Sequence, residues 1–282
     1  MGTPEQALDR ALMQRRAIEN LSTTLAAILD IKARDQREPN RRRKELLEKR
    51  IKRAILGMFG RQAAEVERRL ALYPREMYPL GEAPQGAGAA KAVDVPDLGD
   101  VFDGEDPEAE GELIRYILET RGLGVENVST AVGVSVDWTG VNADALRQAR
   151  LYVGTLIKGV DATSLDAVRK AVAMFVETPG LTMGDLVGML PFDEERAWMI
   201  GVTEVTRAYA DGQLAAMGEI RKEFPKLRMT KTWFTNNDDL VCEVCGPLDG
   251  VEVGIEDDFG GEIFQPPAHP KCRCWMSTGA RT

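Results

Sequence analysis

Apolar residues return every three or four positions over most of this chain, and only near its end does the pattern change to alternation. Leu8, Leu12, Ile18, Leu21, Leu25, Ile28 and Leu29 form the first stripe, the mark of an amphipathic helix. Ahead of it, Thr3 is placed to cap, Pro4 suits the first helical position and Gln6 can return the capping bond. Pro39-Asn40 breaks or bends the pattern, and a second stripe runs through Leu46, Leu47, Ile51, Ile55, Leu56, Phe59, Val66 and Leu70 to a stop at Tyr73-Pro74. These stripes predict a helical hairpin or one long kinked helix, whose apolar face needs a partner.

The helical period returns after Glu108. Ile114, Ile117 and Leu118 mark a short helix. Asn142 is placed to cap the next, through Leu146, Ala149, Tyr152, Val153 and Leu156, and Thr163 to cap another, through Leu165, Val168, Val172, Phe175 and Val176. Thr182-Met183-Gly184-Asp185 opens a short helix, and Asp193 begins a long one through Trp198, Ile200, Val205, Tyr209, Leu214, Met217 and Ile220. From Met229 to Thr235 the residues are β-branched and aromatic and predict a strand. Asn236 to Asp239 then reads as a turn, Leu248 to Val251 as a hairpin corner, and Gly260-Gly261 and Pro266-Pro267 punctuate a loop. The predicted fold class is mainly α, with a helical N-terminal arm, a helical body and a small C-terminal α+β module.

Charge sharpens the boundaries. Residues 1–80 hold 18 Lys and Arg against 11 Asp and Glu, whereas residues 81–130 hold 3 against 12. The expected organisation is a basic amphipathic arm over 1–80, an acidic Gly/Pro-rich linker over 81–107, a helical body over 108–228 and a β-rich module over 229–282. The linker is too poor in large apolar residues to offset its ordering entropy by burial. No apolar run approaches the length that spans a membrane, and nothing after Met1 reads as a secretory signal. A soluble protein without membrane partners is therefore expected.

The candidate chemistry lies in the final segment. All four cysteines and the one histidine of the chain are Cys242, Cys245, His269, Cys272 and Cys274. Two short ligand pairs separated by a loop are what a tetrahedral Zn²⁺ site requires, because each pair wraps one side of the ion. Four coordination positions leave one of the five donors out: Cys242, Cys245 and Cys272 form the core set, with His269 or Cys274 fourth. Thiolate-rich sites of this type are closed and structural, and a module of this size has too little core to hold itself, so the ion is expected to act as a folding staple. Disulfides or isolated thiols are the alternatives. Trp233 and Trp275 are expected to cover the knuckle.

A zinc-dependent nuclease or hydrolase is the enzymatic alternative. A zinc-braced nuclease of the His-Asn-His type needs separate histidines for base and catalytic cation, and this chain has one. No catalytic residue is assigned. Glu204 and Arg207, three apart on the long helix, are expected to form a structural ion pair. The run Arg41, Arg42, Arg43 and Lys44 is the densest cationic segment, a candidate for DNA phosphates or an acidic partner, or else a solvated face paired with Glu38, Glu45 and Glu48.

Thr203-Glu204 followed by Arg207, then Trp233-Phe234-Thr235, the Asp239–Cys245 knuckle, Leu248-Asp249-Gly250 and the closing Pro266–Cys274 segment with its His-Pro-Lys-Cys-Arg-Cys run together resemble the phage head-morphogenesis domain of Mu F-like minor head proteins. The resemblance covers residues 200–278 most closely and extends more loosely back to 135, where Trp138 and the amphipathic helices suit the family's helical part. It does not include the first hundred residues. It implies a minor structural protein of a tailed phage, without catalytic activity, that joins the head at or near the portal vertex. It also implies portal protein or major capsid protein as partners, contact with packaged DNA in some members, assembly in the host cytoplasm and residence in the virion. Some relatives carry toxin or enzyme domains after the shared part, for which the residues beyond Cys274 are expected to leave no room. A non-viral zinc-knuckle adaptor is the remaining alternative.

Overall fold

The computed structural model describes residues 38–71, 98–133, 139–178, 180–236 and 238–281. The first amphipathic stripe and most of the acidic segment lie outside these residues. The described chain forms five α-helices and one three-stranded antiparallel sheet. No described helix is long and apolar enough to cross a membrane. Two compact units emerge, one from the described residues of Met1–Leu47, Ile117–Asn142 and Val202–Thr282, the other from those of Glu48–Tyr116 and Ala143–Gly201.

Helix α1, Arg41–Leu70, starts directly after Asn40, which takes a left-handed φ of 58°, a conformation Asn tolerates better than most residues. The Pro-Asn corner therefore ends one path and launches the second stripe. Helix α2, Pro107–Val132, begins with proline at its first position and with Asp106 Oδ1 accepting the Ala109 amide at 3.0 Å. It is far longer than the short helix predicted around Ile114–Leu118.

Helix α3, Thr139–Glu177, is a single helix of 39 residues, where the sequence predicts two. Asn142 lies inside it rather than at its cap. Thr163 also lies mid-helix, with its hydroxyl directed to the carbonyls of Gly159 at 3.0 Å and Val160 at 2.9 Å. A threonine that satisfies its hydroxyl on the preceding turn needs no helix start, and the helix runs through it. Helix α4, Met183–Gly188, opens where predicted, through a capping box in which Thr182 and Asp185 bond each other's backbone amides. Helix α5, Glu194–Glu223, is capped by Asp193, whose Oδ1 accepts the Arg196 amide at 2.8 Å.

In the helical unit, Val66, Leu70, Leu98, Phe102, Val168, Val172, Phe175 and Leu186 form a continuous buried cluster. Leu98 and Phe102 belong to the segment read as linker, where Gly99–Phe102 forms a 3₁₀ turn. Phe192 meets Phe59 at 5.6 Å and stacks on Phe102 at 6.5 Å between ring centroids. Asp161, 2 % exposed, accepts from Gln62 Nε2 at 2.7 Å and from the Gly104 amide at 3.0 Å. Arg196 threads between Ser164 Oγ, Thr163 Oγ1 and the carbonyls of Val160 and Pro191, with its guanidinium 4.9 Å from the Phe59 ring centre.

In the sheet-bearing unit, α2 and α5 approach so closely that a Cβ on Gly212 would lie 2.0 Å from the Arg121 carbonyl oxygen, and one on Gly124 2.1 Å from that of Tyr209. Only glycine permits this backbone contact. Val125, Val128 and Val132 of α2 and Ala216, Met217 and Ile220 of α5 then close over Met229 and Met276 of the sheet. The strands are β1 (Arg228–Phe234), β2 (Glu252–Gly254) and β3 (Trp275–Arg281), in spatial order β2-β1-β3. β1 pairs with β3 over its full length, from Arg228 opposite Arg281 to Phe234 opposite Trp275. The corner before β2 is held by Gly250, φ 76°, whose amide donates to the Trp233 carbonyl at 2.8 Å.

Candidate metal centre

β1 and β3 carry the frame on which the five candidate ligands converge. Cys242 and Cys245 lie in the turns after β1, and Cys245 leads directly into the 3₁₀ turn Gly246–Leu248. The second group, His269, Cys272 and Cys274, sits on the segment that runs into β3. Under them lies a compact cluster of Trp233, Cys245, Leu248, Phe259, Cys272 and Cys274, with Val241, Val251 and Ile263 packed on it. Trp233 is fully buried there and meets Phe259 edge-on, at 5.2 Å and 73°. Trp275 stacks instead on Phe234, at 4.5 Å and 21°.

The donors fall into two overlapping triads, Cys242–Cys245–His269 and Cys245–Cys272–Cys274, each with its ligand atoms within 4.8 Å of one another. His269 Nε2 lies 3.1 Å from Cys242 Sγ and 3.3 Å from Cys245 Sγ, and Cys245 Sγ lies 3.7 Å from Cys272 Sγ. Zn–S and Zn–N bonds of ~2.3 and ~2.05 Å make the edges of a tetrahedron ~3.8 Å between sulfurs and ~3.5 Å between sulfur and nitrogen. The observed separations are close to those edges. All four cysteines are free thiols. Soft sulfur donors plus one imidazole form the donor set that Zn²⁺ prefers, so these residues fit such an ion.

The electrostatics of the cluster are those of crowded sulfurs. The bond from Cys274 holds the Cys272 thiol down at about 5, against the opposing effect of burial. Burial pushes Cys245 up to about 12, aided by the nearby Cys272 charge. Cys274 is pushed up chiefly by the bond it gives Cys272, and then by burial. Protons have to leave these thiols for a metal to bind, so affinity rises with pH.

The long helix seats the second ligand group in a way the sequence did not reveal. Thr206 Oγ1 donates to the Cys272 carbonyl at 3.1 Å, and Thr203 Oγ1 accepts the Lys271 amide at 2.8 Å. Lys271 has φ 65°, which turns the chain sharply between His269 and Cys272. Thr203 and Thr206 are three apart on α5 and so share a face. Their spacing is the one local signal of this seat, and the charged Glu204 between them is the more conspicuous residue. Glu204 Oε2 and Arg207 Nε stand 3.9 Å apart, with the glutamate side chain 6 % exposed and the arginine 42 %. Lys231 is also missed by sequence reasoning. It is fully buried, with Nζ donating to the Phe264 carbonyl at 2.7 Å and 5.2 Å from the Phe259 ring centre.

The cationic run is largely committed internally. Arg41 binds Glu45 at 2.9 Å, Arg43 binds Glu126 at 2.8 Å, and Lys44 is buried against Glu38 with Nζ 5.0 Å from the Tyr209 ring centre. Arg42 is exposed. The run and the five ligand residues are therefore different in kind: the former spends its charges on acids of the chain, the latter converge.

No curated protein and no solved structure matches the chain. A family model described as phage Mu protein F like protein matches residues 166–277, and within that segment, which contains the whole ligand cluster and its helical seat, the resemblance to the Mu F-like head-morphogenesis family holds.

Proposed function

We propose that this protein is a minor head component of a tailed phage, acting in head morphogenesis at or near the portal vertex, and that its C-terminal module is held in shape by one structural Zn²⁺. The observation that carries the reading is that the segment matching the Mu F-like family contains all five metal-type donors. The ion would be held by Cys242, Cys245 and Cys272, with His269 or Cys274 completing the set, and would supply cross-linking rather than a reactive water. Thr203 and Thr206 hold the second ligand group on α5 through backbone bonds, a task of shape maintenance. The single histidine faces two sulfurs, which leaves no second imidazole for a general base. A structural role in the virion, with assembly in the host cytoplasm, is thus favoured over hydrolysis.

Portal protein and major capsid protein are the proposed partners. DNA contact stands second, because Arg41, Arg43 and Lys44 already bind acids of the chain. The test is co-purification from cells making heads: the protein should remain with portal-bearing particles and be retained by isolated portal. Protein free of both would overturn the assignment. Metal analysis of chelator-free preparations should give about one Zn per chain, by the four-ligand rule, and zinc-free folded protein would remove the staple.

A further inference from the structure

Five donors surround a centre that takes four, and the geometry points to Cys242, Cys245, His269 and Cys272 as the ligands, with Cys274, within 4.8 Å of Cys272, as a positioning thiol beside it. This assignment rests on the zinc reading above and fixes what that reading leaves open.

The first argument is the histidine tautomer. His269 Nδ1 lies 2.8 Å from the Pro270 carbonyl oxygen. A carbonyl only accepts, so Nδ1 carries the hydrogen and Nε2 is left with its lone pair. That lone pair is on the nitrogen 3.1 and 3.3 Å from Cys242 and Cys245. Metal-ligating histidines are oriented in this way, by a carbonyl or carboxylate on the other ring nitrogen.

The second argument is placement. Cys245 belongs to both triads, so the ion sits against it, and Cys272 reaches it at 3.7 Å. Cys274 groups only with Cys245 and Cys272. Using Cys274 in place of His269 would leave idle the oriented imidazole that lies against both Cys242 and Cys245. Left out of the coordination, Cys274 has a role at Cys272, the ligand it neighbours in space and in sequence.

The third argument is charge. Three thiolates and Zn²⁺ carry −1, whereas four carry −2. The charged side chains lining the pocket over the cluster are Asp238, Lys271 and Arg273, which sum to +1 and balance the three-thiolate centre. Arg273 binds Asp238 at 2.7 Å.

The test substitutes Co²⁺ into the full-length protein and reads the thiolate-to-cobalt absorption, whose intensity follows the number of bound thiolates. Cys274→Ser keeps a donor for Cys272 and should leave stoichiometry and absorption unchanged. Cys274→Ala should keep the same spectrum but bind metal about tenfold more weakly, the cost of losing an outer hydrogen bond to a ligand. His269→Cys should raise the absorption by one thiolate's share. Loss of one thiolate's share in Cys274→Ser, with His269→Cys unchanged, would overturn the assignment and leave the zinc staple standing. Wild-type protein that takes up neither Zn²⁺ nor Co²⁺ would overturn the staple itself.

Discussion

The two units reach stability by different routes. The helical unit has an ordinary apolar interior, where Phe59, Phe102 and Phe192 cross one another and valines and leucines fill the space between. The sheet-bearing unit has a helical half of that kind, but its ligand-bearing half is built on Trp233, Phe259, three cysteines and short turns. Its strands β1, β2 and β3 offer only seven, three and seven residues of pairing surface. On the proposed zinc reading, burial suffices in the first unit and a cross-link would replace it in the second: a core fails to scale down to a few dozen residues, but four bonds to one ion do not depend on size.

Removing the metal is the strongest way to break this comparison. Zinc contributes about 10–16 kcal/mol to isolated fingers near neutral pH. Chelation, or Cys245→Ser, should abolish amide hydrogen-exchange protection across residues 229–281 while residues 48–70 keep theirs. Equal loss in both regions would mean that the units are not separately stabilised. The converse is Phe59→Ala, which empties a site 1 % exposed in the helical unit and should cost about 3–5 kcal/mol. Urea unfolding should register that loss, with metal content unchanged.

A smaller effect probes the helical half of the sheet-bearing unit. Gly212→Ala sets a methyl against the Arg121 carbonyl, and overpacking of this order costs about 1–3 kcal/mol or more. Thermal unfolding should show it without change in Co²⁺ absorption, which would separate helix packing from metal binding within one unit. The smallest effect is a pH slope in the helical unit. Burial raises the Asp161 carboxyl above its ordinary value, so the folded chain holds that proton more tightly than the unfolded chain does. Stability should therefore fall as pH rises from about 3.9, the unperturbed value, through the raised one, and stay level above it. Asp161→Asn should remove that component in urea titrations between pH 4 and 8, and an unchanged slope would assign it elsewhere.

What the sequence disclosed follows the range of the physics involved. The helix starts at Thr182 and Asp193 were legible because a cap and the amide it accepts lie within one turn. Thr163 reads as a cap for the same reason, yet a residue suited to a cap is also tolerated inside a helix when its side chain bonds the turn before it, and Asn142 falls within the same 39-residue helix. The mainly helical class could be read from periodicity, and a strand at 229–235 from its β-branched and aromatic residues, one residue off the observed Arg228–Phe234. The cysteine and histidine spacing marked the residues that converge, since knuckle geometry is local. The seat on Thr203 and Thr206 was not legible, because it joins residues 66 and 68 positions apart. The closeness of Gly124 and Gly212 to opposing backbone was hidden likewise, since glycine in a helix looks like a weakness until the facing carbonyl is known.

The order of segments in the two units has a consequence for synthesis. The helical unit draws on Glu48–Tyr116 and Ala143–Gly201 alone, whereas the sheet-bearing unit draws on three stretches and is completed only by Val202–Thr282. A chain leaving the ribosome has therefore released every residue of the helical unit before it presents a single cysteine. The early stretches of the other unit, which include Lys44 and α2 from Ile117, must wait for β3 to arrive. Nascent chains stalled before residue 242 would hold one finished unit and one set of unmatched helical surfaces, and, if the proposed Zn²⁺ binds, ion supply would become a checkpoint on release rather than a feature of the finished protein alone.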